Sequence, residues 1–415
     1  MYREVLRNRN FLKLWGAQVA SQVAAQLLNY GLIIHIYELA KGTRYASSSV
    51  SLFIVAIGVP AILFAVPAGA YTDLRDRKRI LNWANAMRAL LVPFFILLDG
   101  QLAAVYALAL FVSIFSQFFV PAEGAALPRL VKEEHLPVAN SFFVFTLNAS
   151  FIVGYSLAAP IISRFGVDAV YATVTVAFII ALMLTLTLPS MKPHKLEKFD
   201  FVDTYRAIIK DLRLHFVKII REQTLLFPIL LISLAQTIVG IISALAPAMA
   251  QQLFGKGLAE TSHYLVLPAG IGLIIGSVVA GKILQSQSKV RVIFVALFLA
   301  ASVLLVMAGL PVLARLLPIA PLTAVITFVL GLLNAGILVA AQTLLQLAST
   351  DSLRGQIFGT LNMMINIAAL VPVFVAGLLA DLFTPLSVVG ALGIFLGLLG
   401  LIFIRLFGKI SHEYA

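Results

Sequence analysis

The chain has 415 residues, 61% hydrophobic and only 12% charged, carries no cysteine and has a formal net charge of +12. That is too little charge to coat a water-soluble protein of this length, and the lack of cysteine removes disulfides, thiolate zinc sites and thiol catalysis. The bases fall between apolar stretches rather than on an aromatic-studded patch, which argues against a nucleic-acid partner and for a chain threaded repeatedly through lipid.

A helix needs about 20 apolar residues to cross roughly 30 Å of hydrocarbon. Twelve such stretches are predicted. The first six are Phe11–Tyr37, Ser47–Thr72, Leu81–Leu98, Leu102–Pro128, Val138–Ser163 and Asp168–Leu188. The second six are Leu225–Leu253, Ser262–Leu284, Val292–Pro311, Ala320–Ala348, Ile357–Ala380 and Pro385–Phe407. The basic segment Met1 to Lys13 precedes a run too long for a signal peptide, so that run reads as the first span. With both termini cytoplasmic, only Lys41, Arg44, Arg164, Lys256 and Arg315 of the 30 Lys and Arg fall outside. This is the positive-inside bias.

The expected fold is therefore all-α and integral to the membrane, with twelve transmembrane helices in two six-helix bundles. Residues 1–190 form the first bundle, 191–224 a cytoplasmic linker and 225–415 the second bundle. In the linker, Phe201, Tyr205, Ile208, Ile209, Leu212, Phe216, Ile219 and Ile220 recur at helical spacing beside Lys210, Arg213, Lys218 and Arg221. The pattern predicts an amphipathic helix on the inner membrane surface, with a partner-binding segment as the alternative. The halves also echo each other, since Gly69, Asp73 and Arg79 are spaced as Gly281, Gln285 and Arg291 are. Matched halves imply a solute path where they meet.

The segment Gly69-Ala-Tyr-Thr-Asp73-Leu-Arg75-Asp76-Arg77-Lys78-Arg79 resembles the loop signature of the major facilitator superfamily. Arg9-Asn10-Phe11, Leu14-Trp15, Pro121-Ala122-Glu123, Leu127-Pro128, Ala139-Asn140-Ser141, Arg354-Gly355-Gln356 and Gly377-Leu-Leu-Ala-Asp381 are similar to its macrolide-efflux and enterobactin-exporter branch. Some positions depart from the family pattern. Leu74 stands in place of Arg, and Ala24-Ala25 in place of Gly-Asp. Gly154-Tyr155 and Ala158-Ala159 replace the Gly-Pro and Gly-Gly of the antiporter pattern. The acid commonly suspected of coupling in the first helix is thus absent.

Three groups of residues carry the functional expectations. The first is a cytoplasmic gate of Gly69, Asp73, Arg77, Arg79, Arg88 and Glu123. Asp73 emerges where a carboxylate can accept from the N–H groups of another helix start, near Arg354 to Ile357, and the resemblance puts that helix across the domain interface. A solvated loop used only for topology is the alternative. Arg88 and Glu123 lie at similar depth on adjacent helices, where lone charges are costly. Mutual pairing, with Asn85, is one solution and separate snorkelling the other.

The second group is a set of neutral amides. Gln18, Gln22, Gln26 and Asn29 share one face of the first span, with Gln117, Gln236, Asn334 and Gln342 on others. The resemblance implies that helices one, four, seven and ten line a cavity, which these amides would dot; interhelical hydrogen bonding is the competing use. The third group comprises the coupling candidates Glu123, Asp73, His35 and Glu38. His35 and Glu38 lie one turn apart, as a proton-handling pair or as an ordinary interfacial one. The pairs Gly272/Gly276, Gly355/Gly359 and Gly393/Gly397 permit close helix packing. Gly276 to Lys282 only imitates a phosphate loop, since Ile283 stands where Ser or Thr is needed.

The expected function is a secondary-active transporter exporting hydrophobic or amphipathic small molecules of the drug, macrolide or siderophore class by alternating access. The alternatives are a lipid or lysophospholipid flippase of the same fold and a transport-inactive sensor. No enzyme chemistry, cofactor or metal is expected. The expected partners are a small-molecule substrate, membrane lipids and protons, and the expected form is a monomer in a bacterial inner membrane.

Overall fold

The computed structural model describes residues 2–98, 100–192, 222–314, 316–348 and 354–407. The amphipathic linker helix expected between Phe201 and Arg221 lies outside them.

Among the described residues the longer helices are α1 (Arg9–Ala40), α2 (Ala46–Leu74), α3 (Arg77–Leu91), α4 (Leu102–Leu130), α5 (Leu136–Phe165), α6 (Val167–Leu186), α7 (Gln223–Phe254), α8 (Leu267–Ile283), α9 (Lys289–Ala308), α10 (Ile319–Ala348), α11 (Arg354–Leu382) and α12 (Pro385–Phe407). Short turns of helix flank them, and no strand occurs among the described residues. Eleven segments are long and apolar enough to cross a bilayer among the described residues, and α11 contributes a shorter apolar stretch, Asn366–Leu382. In hydrocarbon every backbone polar group must be bonded internally, and a helix does this without help from other segments.

Proline sets the interruptions. α3 stops at Leu91 just before Pro93, which has no N–H to continue the helical ladder; helix resumes at Phe94–Leu97. The eighth crossing is likewise split, with Leu258–Leu265 separated from α8 by Val266 and Pro268 opening the new helix. α7 ends where Gly255 takes φ 63°, and its N–H returns to the Gln251 carbonyl. Only glycine adopts that conformation at little cost.

The helices gather into two compact units. One holds Met1–Leu39 with Ala56–Leu212, and the other holds Ala40–Val55 with Arg213–Ala415. The start of α2 therefore belongs with the second unit and its remainder with the first. In the first unit, Phe11 and Leu14 of α1 share a buried cluster with Leu81 and Ala84 of α3 and Phe119 and Ala122 of α4. In the second, Phe227 and Leu231 of α7 pack with Ile293 of α9, Leu344 of α10 and Phe403 of α12.

Lipid tails are as apolar as leucine, so close backbone packing takes over from hydrophobic burial as the force between helices. α8 and α10 show this most clearly. A Cβ on Gly272 would lie 2.0 Å from the Phe328 carbonyl oxygen, one on Gly276 2.5 Å from that of Leu332, and one on Gly331 2.1 Å from that of Ala269. The Gly272/Gly276 pair thus works as the sequence suggested. Gly331→Ala is expected to cost about 1–3 kcal/mol through overpacking and to lower the melting temperature of the purified protein. Gly397→Ala, where a Cβ would stand 3.9 Å from its nearest neighbour, should leave melting unchanged; equal effects would refute this packing.

Candidate functional site

The loop between α2 and α3 is built around two acids with different work. Asp76 caps α3: its carboxylate accepts from Lys78 N at 3.1 Å, Met191 N at 2.9 Å and the Ser190 hydroxyl at 2.6 Å. Arg77 is buried and reinforces the same tie, donating to the Met191 carbonyl at 3.3 Å and the Asp73 carbonyl at 3.2 Å. Partial burial alone would raise the Asp76 pKa. The bonds from Ser190, Met191 and Lys78 and the charge of Arg79 outweigh it and hold the carboxyl below its ordinary value. The loop is thereby anchored to the end of the sixth crossing. Asp73 and Arg79 are exposed beside it, and Gly69 has open space where a Cβ would be. The side chains of Arg354 to Ile357, expected to receive Asp73, lie outside the described residues.

Deeper in the same unit, α3 and α4 bring Arg88 and Glu123 into one interior. Arg88 is 2% exposed and Glu123 3%. No salt bridge within 4.0 Å joins them. The guanidinium is lodged otherwise. It donates to Asn85 Oδ1 at 2.6 Å and to the Ala84 carbonyl at 3.2 Å, and it sits 4.4 Å from the Phe119 ring centroid and 4.6 Å from that of Phe178. Two aromatic faces and two acceptors stabilise a cation that hydrocarbon alone would reject. Glu123 Oε1 and Asn85 Nδ2 remain buried without a hydrogen-bond partner. Unpaired polar atoms in an apolar interior are costly.

His35 is also buried, and its Nδ1 is hydrogen-bonded to the Tyr171 hydroxyl on α6, whose ring stacks on Phe95. Glu38, one turn away, is exposed. The histidine is thus tied to α6, a partner its own helix could not reveal.

The amides divide by environment. Gln18 is turned inward and donates to the Phe143 carbonyl of α5 at 3.4 Å, beside the Trp15–Thr146 bond that joins the same helices. Asn334 is buried and donates to the Ala235 carbonyl of α7 at 3.1 Å, an interhelical tie within the second unit. Gln22, Gln26, Asn29 and Gln117 are half-buried, with Gln117 donating back to the Ser113 carbonyl at 3.4 Å. Gln26 lies where α5 passes closest: a Cβ on Gly154 would fall 2.9 Å from Leu27 N. Gln236 and Gln342 are exposed on their helices.

One residue quoted for its resemblance gains a role from the structure. Asp381, in the last turn of α11, caps the start of α2: Oδ1 accepts from Ser47 N at 2.8 Å and Oδ2 from Ser48 N at 2.8 Å, with the Ser48 hydroxyl on Oδ2 as well. Gly377, one turn earlier, allows the approach, since its Cβ would meet Ser51 Oγ at 2.1 Å. A clue was present in the sequence. An acid in the last turn opposes its own helix dipole and calls for the positive end of another helix.

The Major Facilitator Superfamily profile matches residues 14–323. The chain is 24% identical over 299 residues to macrolide efflux protein A of Streptococcus pyogenes, covering 70% of each. It is 23% identical over 403 residues to an enterobactin exporter of Citrobacter koseri, covering 95% of this chain and 91% of that one. A POT family transporter crystallised with a thioalcohol-conjugated peptide shares the fold, with TM-score 0.73 and 12% identity over 97% of this chain and 96% of that one. The protein belongs to the Major Facilitator Superfamily, a family of membrane transporters.

Two consequences of this geometry are measurable. Asp76→Ala removes a helix cap and should destabilise the protein by about 1 kcal/mol at pH 7. Because the folded-state pKa is depressed, that contribution is complete above the unfolded value and disappears as pH falls through the folded one. Wild type and variant should therefore converge in melting temperature at strongly acidic pH, and a gap that persisted there would contradict the capping role. Arg88→Gln and Glu123→Gln are each expected to abolish transport while eluting as monodisperse protein; an unchanged rate in either would remove the cluster from the mechanism.

Proposed function

We propose that the protein is a secondary-active exporter of hydrophobic or amphipathic small molecules, working by alternating access with twelve spans and both termini in the cytoplasm of a bacterial inner membrane. The observation that carries this reading lies in the second unit. α7 and α10 run for 32 and 30 residues without one charged side chain, and each exposes a glutamine, Gln236 and Gln342. Amides at such positions offer hydrogen bonds without a fixed charge. They suit bulky, largely neutral solutes, whereas a phosphate or small carboxylate would call for Arg or Lys. The similarity to a macrolide efflux protein and an enterobactin exporter supports the same class of substrate.

In this scheme Gly69, Asp73, Arg77 and Arg79 form the cytoplasmic gate, and the Arg88–Glu123 cluster supports it from within. Asp381 on Ser47 and Ser48 is a second tie, at the end of α2 that the charge bias puts outside. Transport must draw on an ion or solute gradient, and one elementary charge moving through 100 mV supplies about 2.3 kcal/mol. Glu123, Asp73, His35 and Glu38 are the groups available to carry a proton.

The test is transport by proteoliposomes of a panel comprising a neutral macrolide, a catechol siderophore, an amphipathic cation and a labelled phospholipid, with and without a proton gradient. Gradient-dependent movement of one of the first three is expected, with Gln236→Ala and Gln342→Ala raising KM. Movement of the phospholipid alone would convert the reading to a flippase, and movement of none would mean that the protein does not export this class. A tag inserted between Leu186 and Gln223 should react only after the cell membrane is opened; labelling of intact cells would overturn the topology.

A further inference from the structure

A crevice of about 330 Å3 opens between α8, α9 and α10 in the second unit. Gly276 and Gly336 are among the residues at its back, and Val279, Ile283, Val295 and Leu299 form its outer walls. Those four are exposed on helices that cross the bilayer, so the opening faces lipid. Beside it, Gly272, Gly276 and Gly331 draw α8 against α10.

The crevice is apolar along its length but has a charged mouth. Arg291 lies at the rim with Gln287, eight residues and about 12 Å of helix rise from Leu299. Lys289 and Arg291 both sit in the first turn of α9, where no acidic residue accompanies them and the Ser288 side chain makes no cap. Lys282 adds a further positive charge in the last turn of α8. The sequence holds no carboxylate between Glu260 and Asp351, a stretch that includes all three helices. Among the described residues none of these bases forms a salt bridge. Two cations stacked on the positive end of a helix repel it and each other unless an anion covers them. An uncapped helix start offers such an anion free N–H donors.

We propose that this is a binding site for one anionic glycerophospholipid of the surrounding leaflet, with an acyl chain in the crevice and the phosphate over Lys289, Arg291 and the first N–H groups of α9. Charge complementarity and position select this occupant. A chain-only apolar ligand would leave the basic mouth uncovered, and a soluble anion would leave the apolar walls unused. Bilayers supply both halves in one molecule, at the depth where the mouth lies. The charge bias assigns that mouth to the cytoplasmic leaflet, where anionic headgroups interact with basic clusters. The site is separate from the charge-free glutamine faces of α7 and α10, and so does not depend on the identity of the exported solute.

Native mass spectrometry of the detergent-purified full chain, titrated with phosphatidylglycerol or phosphatidylcholine, tests the site directly. Wild type is expected to retain one phosphatidylglycerol with about tenfold or greater preference over phosphatidylcholine, as two bases near a phosphate would give. Lys289→Gln with Arg291→Gln should abolish the preference, Val295→Trp should weaken retention by occupying the crevice, and Lys256→Gln, an exposed base at another turn, should change neither. Equal retention of the two lipids by wild type would overturn the proposal, as would a preference that survives loss of both bases. So would exclusive retention of free oleate, or closure of the crevice by a second copy of the chain. Size exclusion of each variant identifies any that fails to fold, and Arg291→Gln alone, at an exposed position, serves in place of the double variant.

Discussion

A backbone carried through hydrocarbon has no water to bond with, so each crossing must satisfy its own N–H and C=O groups before any side chain matters. That constraint turns nearly all of this chain into helix and leaves specificity to the few positions where a side chain does something other than face lipid. Proline breaks at Val92 and Val266 are tolerated because the freed groups lie at helix ends, and glycine takes over where two backbones must meet. The second unit illustrates the exchange. Hydrophobicity cannot draw α8 to α10 when lipid is the alternative, so Gly272, Gly276 and Gly331 remove the side chains that would hold them apart.

The same constraint explains why charge inside the spans is so sparing and so deliberate. Arg88 is kept by the faces of Phe119 and Phe178 and by Asn85, while Glu123 shares its interior without closing a salt bridge. Asp76 and Asp381 apply a different solution, each placing a carboxylate on the N–H groups at the start of a helix. These acids do opposite work from Asp73, whose carboxylate is exposed while its carbonyl is held by Arg77. A loop signature that reads as one cluster of charges is thus divided between anchoring and presentation.

Much of the architecture was legible in the sequence because apolar length is a one-dimensional property. The limits of α12 and the crossing from Leu102 could be read almost to the residue. The third and eighth spans were broken or extended by prolines whose effect depends on local geometry. The contents of the site were harder to read. Depth alone brought Arg88 and Glu123 together, but not the two phenylalanines, because which ring faces a cation depends on helix rotation. The amides looked alike by spacing, yet Gln18 and Asn334 are spent on neighbouring helices while Gln236 and Gln342 are not. Spacing set His35 beside Glu38 one turn away, but could not show that Tyr171, far along the chain, is hydrogen-bonded to it. In each case the missing information was tertiary.

The cap on α2 also bears on how the protein is made. Ser47 and Asp381 are 334 residues apart. A ribosome delivers the start of α2 early and its acid only when the eleventh helix emerges, so for most of synthesis that helix end has water or headgroups as its only acceptors. Completion of the second crossing is in this sense among the last events of biogenesis, and a chain truncated before Asp381 would lack a finished α2 as well as its final helix.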